Sequence, residues 1–599
     1  MSATPTSVLE TEQACGLGPE HRPDTAASQA GVFSNGCAMD LPAEDDEGAV
    51  EYKRMLVSPS RERFEELVTQ LKYRMAAGHG EALYQLGYDN DGKARGISDA
   101  GMDASLATLK RMAAELAAEA TTVLRCRARE GDVAQVLVRC KPRNCEEFTD
   151  LRICVSGNVD AGKSSLLGVL CGNGQLDNGR GLSRAQVLTH KHELETGRTS
   201  AISTQLMGFD AAGRVVNYAS SGSVRHLSWA DIVAQSCKLI TFSDLAGHER
   251  YLKTTMFGLT AHAPDYCMMV VALNQGVLRM TREHLAIALA LKVPVFAVLT
   301  KSDLAPDTVA ERTVQDLSKM LKSPGARKVP VLVKTLEDVS MCAKNIPDDR
   351  VVPMFAVSNV TGEGLDLLRA FLNLIPLRHD WSEHGKSALT EFTIDEHFMV
   401  TGVGTVVSGV CLRGSVCQGQ AVYLGPDGLG RFTRISIKSV HYKRVPAQRL
   451  VAGQSGSLAL KKVRREKVRK GMVILSLSAA NNAACISAQP PPTASHPAAP
   501  SCVIEFEAEV VLMYHSTSVR VGYQPILHCS TIRQAAQVTA MDRELVRMGE
   551  RARLQFRFLY RPEWLHVGDR FCFREGRTKG IGHVTQLVER WTRELAPGF

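Results

Sequence analysis

GNVDAGKSSLLGVL, residues 157–170, follows the apolar run LRICVS (151–156) directly and reads as the turn from a buried strand into a helix. Gly157, Gly162, Lys163 and Ser164 fill the fixed places of GxxxxGK[ST], in which backbone N–H groups at a helix N-terminus face phosphate oxygens. Asn158, Val159, Asp160, Ala161, Gly162, Lys163, Ser164 and Ser165 then line the phosphates. Lys163 reaches the β and γ groups, and Ser164 offers a hydroxyl to Mg²⁺. Alone, this loop does not separate ATP from GTP.

Three later segments make that separation. After the apolar strand KLITF comes Asp244-Leu245-Ala246-Gly247-His248. Asp244 at a strand end can hold Mg²⁺ through water, Gly247 can offer its N–H to a γ-phosphate, and His248 stands where a water-orienting side chain belongs. Phosphoryl transfer asks the protein mainly for alignment and charge stabilisation, so Lys163, Gly247 and His248 are the catalytic candidates. Thr300-Lys301-Ser302-Asp303 follows VPVFAVL. Asp303 can accept two hydrogen bonds from guanine, a pair adenine cannot supply, while the Lys301 stem lies against the base. Thr300 stands where NKxD has an amide that ties neighbouring loops, so that tie is expected to be lost. Ser358, Asn359 and Val360 can close the guanine pocket with main-chain N–H groups. Order and spacing together point to a GTPase using GTP/GDP and Mg²⁺.

Around these segments, strand and helix patterns alternate, with strands expected at 151–156, 237–243, 267–273, 293–299 and 352–357. Near-continuous apolar strands between helices imply a mostly parallel sheet with helices on both faces. The fold expected is an α/β P-loop GTPase domain (149–380) followed by two β-barrel domains, 387–477 and 501–590, with a small α+β domain at 49–148. The small domain combines a helix opened by Ser58-Pro59 and closed near Gly78, a turn at Asp89 to Gly92, a helix at about 103–120, and strands near 123–129 and 133–139. GVGTVVSGV at 402–410 has the short strands and glycine turns of a barrel. A Pro/Ala/Ser linker, 478–500, contains Gln489-Pro490-Pro491-Pro492 and is expected to let one barrel move relative to the other. Residues 1–48 read as a disordered acidic tail and 591–599 as a short tail.

The net charge of +8 conceals a gradient. Residues 1–50 hold nine acids against Arg22, whereas 431–470 hold thirteen Lys and Arg against Glu466, a local +12 that includes KKVRREKVRK at 461–470. Such a stretch suits a polyanion such as RNA, or is a solvated basic face. Sixteen cysteines include no CxxC pair and most lie in apolar runs, which fits reduced core thiols in a cytosolic protein. No apolar run approaches the ~18 residues needed to cross a bilayer, and the start lacks a basic stretch followed by an apolar one. A cytoplasmic monomer without membrane contact is expected.

Thr199 lies 36 positions after Lys163, a long first switch. Here the chain resembles translational GTPases related to elongation factor Tu, through the P-loop with Asp160, DxxGH, FMVTGVGTVVSGV at 398–410 and FREGRTKGIGHV in the final segment. QLDNGRG (175–181), HKHELETGRTS (190–200) and LKSPG (321–325) are similar to the GTP-binding protein 1 and GTP-binding protein 2 branch of that family. The resemblance implies a cytoplasmic GTPase that engages aminoacyl-tRNA and the ribosome, with roles in resolving stalled ribosomes and in RNA turnover alongside the RNA-decay machinery. It further implies that Thr199 ligates Mg²⁺ with Ser164 and Asp244 and senses the γ-phosphate. Val159 would flank His248 as one side of an apolar gate, and Asp160 would hold a monovalent cation or the switch backbone. Arg198 replaces the other apolar gate residue and either stabilises charge or forms a surface salt bridge. A rival reading keeps the GTPase but makes the barrels docking surfaces for proteins, without tRNA.

Overall fold

The computed structural model describes residues 33–37, 40–45, 47–142, 148–172, 174–188, 190–196, 199–218, 227–379, 381–385, 387, 389–476, 502–514, 518–575 and 578–591. Residues 1–32, the linker expected at 478–500, Arg198 and residues 592–599 lie outside that set.

At the centre is a seven-stranded sheet in the order Val329–Leu332, Val351–Ala356, Val295–Thr300, Tyr266–Ala272, Thr149–Gly157, Lys238–Asp244, Ser203–Phe209. All pairs are parallel except the last, which is antiparallel. Residues along Thr149–Gly157 alternate between two cores: Ile153 and Val155 pack with Phe296, Phe355 and Phe371, and Cys154 packs with Leu259, Met269 and Ala288. Ser203–Phe209, STQLMGF, lacks the continuous apolar run of the inner strands, and Val329–Leu332, VPVL, is a short run that carries Pro330. Both are edges, where burial on two faces is less complete and proline is tolerated. Every loop that carries a nucleotide motif leaves the C-terminal end of a parallel strand, the end where open α/β sheets form their clefts.

Ahead of this sheet, a smaller one runs Phe33–Cys37, Ala118–Arg127, Asp132–Cys140, Glu81–Leu86, Val50–Lys53, covered by helices Arg61–Ala77 and Asp99–Glu115. The second helix starts and ends about four residues earlier than expected because the Ser98 hydroxyl accepts the Gly101 N–H as an N-cap. Beyond it, Thr121, Thr122 and Val123 favour the strand. The acidic tail expected over 1–48 also needs correction. Phe33–Cys37 pairs in parallel with Ala118–Arg127, Asp40 Oδ1 accepts the Ala94 N–H at 2.9 Å, and Glu44 pairs with the buried Arg74 at 3.2 Å. These acids are partners of particular donors, a property composition does not register.

Buried charge joins this domain to the central sheet. Arg139, 1% exposed, donates to Glu81 and to the carbonyls of Asp210 and Asn373. Beside it Lys238 donates to the Ile375 and Asn373 carbonyls, and burial drives its ammonium down to about 8.

Six strands close the first barrel: Thr390–Val400, Gly404–Arg413, Ser455–Leu460, Thr433–Tyr442, Ala421–Gly425 and Val473–Ser476. Its Lys443 is buried against the central domain, with Nζ 2.8 Å from Asp150 Oδ2 and 2.7 Å from Thr241 Oγ1, while Tyr442 donates to the same Asp150. The second barrel is closed by Cys502–Tyr514, Arg551–Phe558, Ile532–Met541, Ile526–Cys529, Arg570–Glu575 and Thr578–Trp591. The two barrels meet at Glu563, fully buried and bonded by Arg469 at 2.8 Å, Arg561 at 3.1 Å and Gln534 at 3.1 Å. Trp564 adds a bond to Glu391. Parting a buried pair leaves an uncompensated charge at a cost of about 3–5 kcal/mol, which opposes movement of one barrel against the other. Eleven described cysteines are free thiols and ten of them are buried, whereas Cys417 is disulfide-bonded.

Candidate active site

The phosphate loop connects Thr149–Gly157 to the helix Lys163–Cys171. Asp160 and Gly162 take left-handed backbone angles, φ 57° and 81°, and Asp160 is exposed at the tip. Lys163, buried beneath the loop, donates to the Asn158 carbonyl at 2.7 Å and that of Gly157 at 3.2 Å. Burial pulls its ammonium below the usual lysine range, against the opposing pull of Asp244 and Asp160. Such a group gains when an anionic phosphate replaces the carbonyls.

Ser164, Thr199 and Asp244 come together. Ser164 Oγ is 2.6 Å from Asp244 Oδ2 and 2.9 Å from Thr199 Oγ1, and Thr199 Oγ1 is 3.4 Å from the same carboxylate oxygen. Burial raises the Asp244 carboxyl, with Lys163 opposing, and among the described residues Asp244 Oδ1 is buried without a hydrogen-bond partner. Two hydroxyls beside a carboxylate with an unused oxygen fit a hard divalent cation such as Mg²⁺. Glu193 holds the Thr199 segment in place, accepting from the Ser200 and Ala201 N–H groups at 2.7 and 3.0 Å. Burial opposes the ionised form, but these bonds and the Ser200 hydroxyl outweigh it and take the Glu193 carboxyl down to about 2.

Gly247 lies so close to the phosphate loop that a Cβ there would sit 2.5 Å from Lys163 Nζ and 2.7 Å from backbone atoms of Asn158 and Gly157. Only glycine fits. Next to it, His248 is exposed and caps a 3₁₀ turn, Glu249–Tyr251, by accepting the Arg250 N–H on Nδ1 at 3.0 Å. A ring accepting on Nδ1 carries its proton on Nε2 when neutral, so Nε2 is a donor. Val159, Asp160, Gly162, Lys163, Ser164, Ser165, Thr199, Gly247 and His248 line one cleft together with Arg184, a residue the motif reading did not reach.

At the other end, Gly162 stands 3.7 Å from both Thr300 Oγ1 and Asn359 Nδ2, measured from a Cβ built on it. Thr300 is fully buried and its hydroxyl donates to the Ala161 carbonyl at 2.7 Å. The tie expected to be missing is therefore present, made by a hydroxyl in place of an amide. Lys301 has φ 62°, and Asp303 is exposed with Oδ1 accepting the Ser358 hydroxyl at 2.7 Å. The Ser358 oxygen accepts from Val360 N and Thr361 N, and Ser358 N donates to Glu363. Of the three main-chain N–H groups expected to face a base, those of Ser358 and Val360 are thus engaged, and among the described residues Asn359's is not.

A phosphate loop, a carboxylate and two hydroxyls suited to a cation, and a carboxylate at the base end, set on a parallel sheet with two barrels behind it, define a GTPase of the elongation factor Tu class. Residues 149–377 match the elongation factor Tu GTP binding domain family and 404–475 match elongation factor Tu domain 2. The chain is 45% identical over 558 residues to GTP-binding protein 1 of Xenopus laevis, covering 92% of this chain and 81% of that one. It is 43% identical over 597 residues to GTP-binding protein 2 of Mus musculus, covering 98% and 94%. It belongs to the GTP-binding protein 1 and GTP-binding protein 2 family. Among solved structures, a bacterial selenocysteine-specific elongation factor shares the fold at a TM-score of 0.50 and 19% identity, over 73% of this chain and 58% of that chain.

Proposed function

We propose that this GTPase couples hydrolysis to engagement of aminoacyl-tRNA and the ribosome in the cytoplasm, as a monomer, with a part in resolving stalled ribosomes or in RNA turnover. The observation that carries the reading is where the basic segment lies. Arg434, Lys461, Lys462 and Lys467 line one groove of about 1180 Å³ on the first barrel, with Phe432 and Ile435 beside them, while Arg431 and Arg469 in the same wall are paired with Asp427 and Glu563. Cations over an apolar floor suit a nucleic acid backbone and its bases. That barrel is fastened to the GTPase domain through Lys443, so the groove and the nucleotide cleft belong to one framework. The match to elongation factor Tu domain 2 over the same barrel supports a translational role.

In this mechanism Asn158 to Ser165 cradle the phosphates, Asp303 selects guanine, and Lys301 with Ser358, Asn359 and Val360 closes over the base. Thr300 keeps the base loop against the phosphate loop. Ser164, Thr199 and Asp244 would hold Mg²⁺, which neutralises phosphate charge when bound. Thr199 and Gly247 sense the γ-phosphate, ordering both switch segments, and its loss releases them. His248 donates from Nε2 to orient water at the γ-phosphate, and Val159 screens that side of the cleft.

Single-turnover GTP hydrolysis, measured with purified ribosomes whose A site is empty and with added aminoacyl-tRNA, should accelerate only when both are present. Acceleration by neither would end the translational reading. RNA binding should also weaken steeply with salt. Replacing Lys461, Lys462 and Lys467 with Ala should lower the log–log slope by about 2, at roughly 0.7 per phosphate contact on single strands. An unchanged slope would remove the groove from the RNA path. A second reading, a GTP-gated adaptor for proteins, is favoured by one feature: Phe398, Met399, Val400 and Val403 are all exposed on one hairpin of the same barrel. Equal RNA binding in the GDP and GTP states would support that alternative.

A further inference from the structure

Arg184 lines the phosphate cleft beside Lys163, Ser164 and Ser165, on a segment to which no motif assigns a role. It sits in the 3₁₀ turn Ser183–Gln186, and among the described residues no carboxylate pairs with its guanidinium. The loop that carries it is held from several sides. Asp177 Oδ2 accepts the Gly179 and Gly181 N–H groups at 3.1 and 3.2 Å, and Oδ1 accepts the Ser183 N–H at 2.9 Å. The Ser183 hydroxyl lies 2.9 Å from Asp177 Oδ1 and 3.1 Å from the Ser165 carbonyl, sharing one proton between them. Asp177 N donates to the Asn359 carbonyl at 2.8 Å. One loop therefore bridges the phosphate-loop helix and the base loop.

The arginine runs back across this loop. Gly181 has φ 88°, a conformation that favours glycine, and a Cβ there would sit 2.7 Å from Arg184 Cζ, so the side chain passes directly over Gly181. With Lys163 and the Mg²⁺ that Ser164, Thr199 and Asp244 would hold, the charge balance of the cleft still leaves room for another cation. Lys163 stands with Asp160 and Asp244, and a nucleoside di- or triphosphate adds further negative charge.

We propose that Arg184 is a fixed guanidinium ligand for the phosphates common to GDP and GTP. The proposal rests on the phosphate loop being the nucleotide site. The loop bearing Arg184 is fastened to Ser165 and Asn359, the base side of the phosphate row. Thr199, Gly247 and His248, which mark the γ end, belong to other segments. A planar guanidinium suits a bidentate phosphate contact, and one charged hydrogen-bonding group of this kind is worth roughly 10- to 100-fold in affinity.

The test is the affinity of the full chain for GDP and for a non-hydrolysable GTP analogue in Arg184→Ala and Arg184→Lys, together with single-turnover hydrolysis at saturating GTP. Expected is a loss of roughly 10- to 100-fold for both nucleotides by one factor in Arg184→Ala, with hydrolysis of bound GTP within about threefold of wild type. Arg184→Lys keeps the charge without the fork and should fall between; if the alanine variant does not fold, a matched loss for both nucleotides in the lysine variant carries the test. Unchanged affinities in a folded variant, or a loss confined to the hydrolytic step, would overturn the proposal. Lys163→Ala separates the underlying assignment: if that variant binds GDP like wild type, the phosphate loop itself is misassigned.

Discussion

His248→Ala is expected to bind GTP with near-wild-type affinity and to lose roughly 10²-fold or more in stimulated hydrolysis, the scale of one positioned polar group at a developing charge. Affinity should survive because His248 is exposed and, among the described residues, the one hydrogen bond of its ring is from the Arg250 N–H. The phosphate cradle, the cation ligands and the base loop are built without it. The rate should fall because its Nε2 is the ring atom left free by the cap on Nδ1. His248→Gln, which retains a donor, should recover part of the loss. Turnover of His248→Ala at the wild-type rate in single-turnover assays would mean that another group aligns the water.

Asp303→Asn is expected to weaken GTP by roughly 10²- to 10⁴-fold and to turn the preference toward xanthosine triphosphate. Two charge-assisted hydrogen bonds to guanine are lost, each worth about 1.5–3 kcal/mol. In xanthine the exocyclic amine becomes a carbonyl, and the Asn amide can donate to it while still accepting from N1–H. Ser358 donates to Asp303 Oδ1, so the carboxylate is oriented before any base arrives. Competition between the two triphosphates provides the readout, and unchanged GTP affinity would show that the base does not meet Asp303.

The parts of this architecture legible from sequence are those in which neighbours in sequence are also neighbours in space. Residues 157–165 are one turn and one helix start, so their spacing already contains their geometry. The inner strands carried a two-sided apolar run, whereas Ser203–Phe209 is an edge and gave no such run. Arg184 was illegible for the opposite reason: its place in the cleft depends on Asp177 folding a loop back onto Ser165 and Asn359, contacts that no local pattern encodes. Thr300 shows a third case. The departure from NKxD was plain, but its consequence was not, because a shorter side chain on a closer backbone reaches the Ala161 carbonyl. Interfaces were hidden most completely, since Glu563, Arg469, Asp150 and Lys443 read as ordinary surface charges until the domains are assembled.

The Glu563 seam bears on how far a nucleotide signal can travel. Two barrels joined at Glu563 form a single arm that meets the GTPase domain in two places: Lys443 of the first at Asp150 and Thr241, and Cys572 of the second in one apolar cluster with Leu252 and Met256. The helix Leu252–Ala261 continues the segment that bears Gly247 and His248. A shift of that helix would press on the second barrel directly and reach the first through the seam.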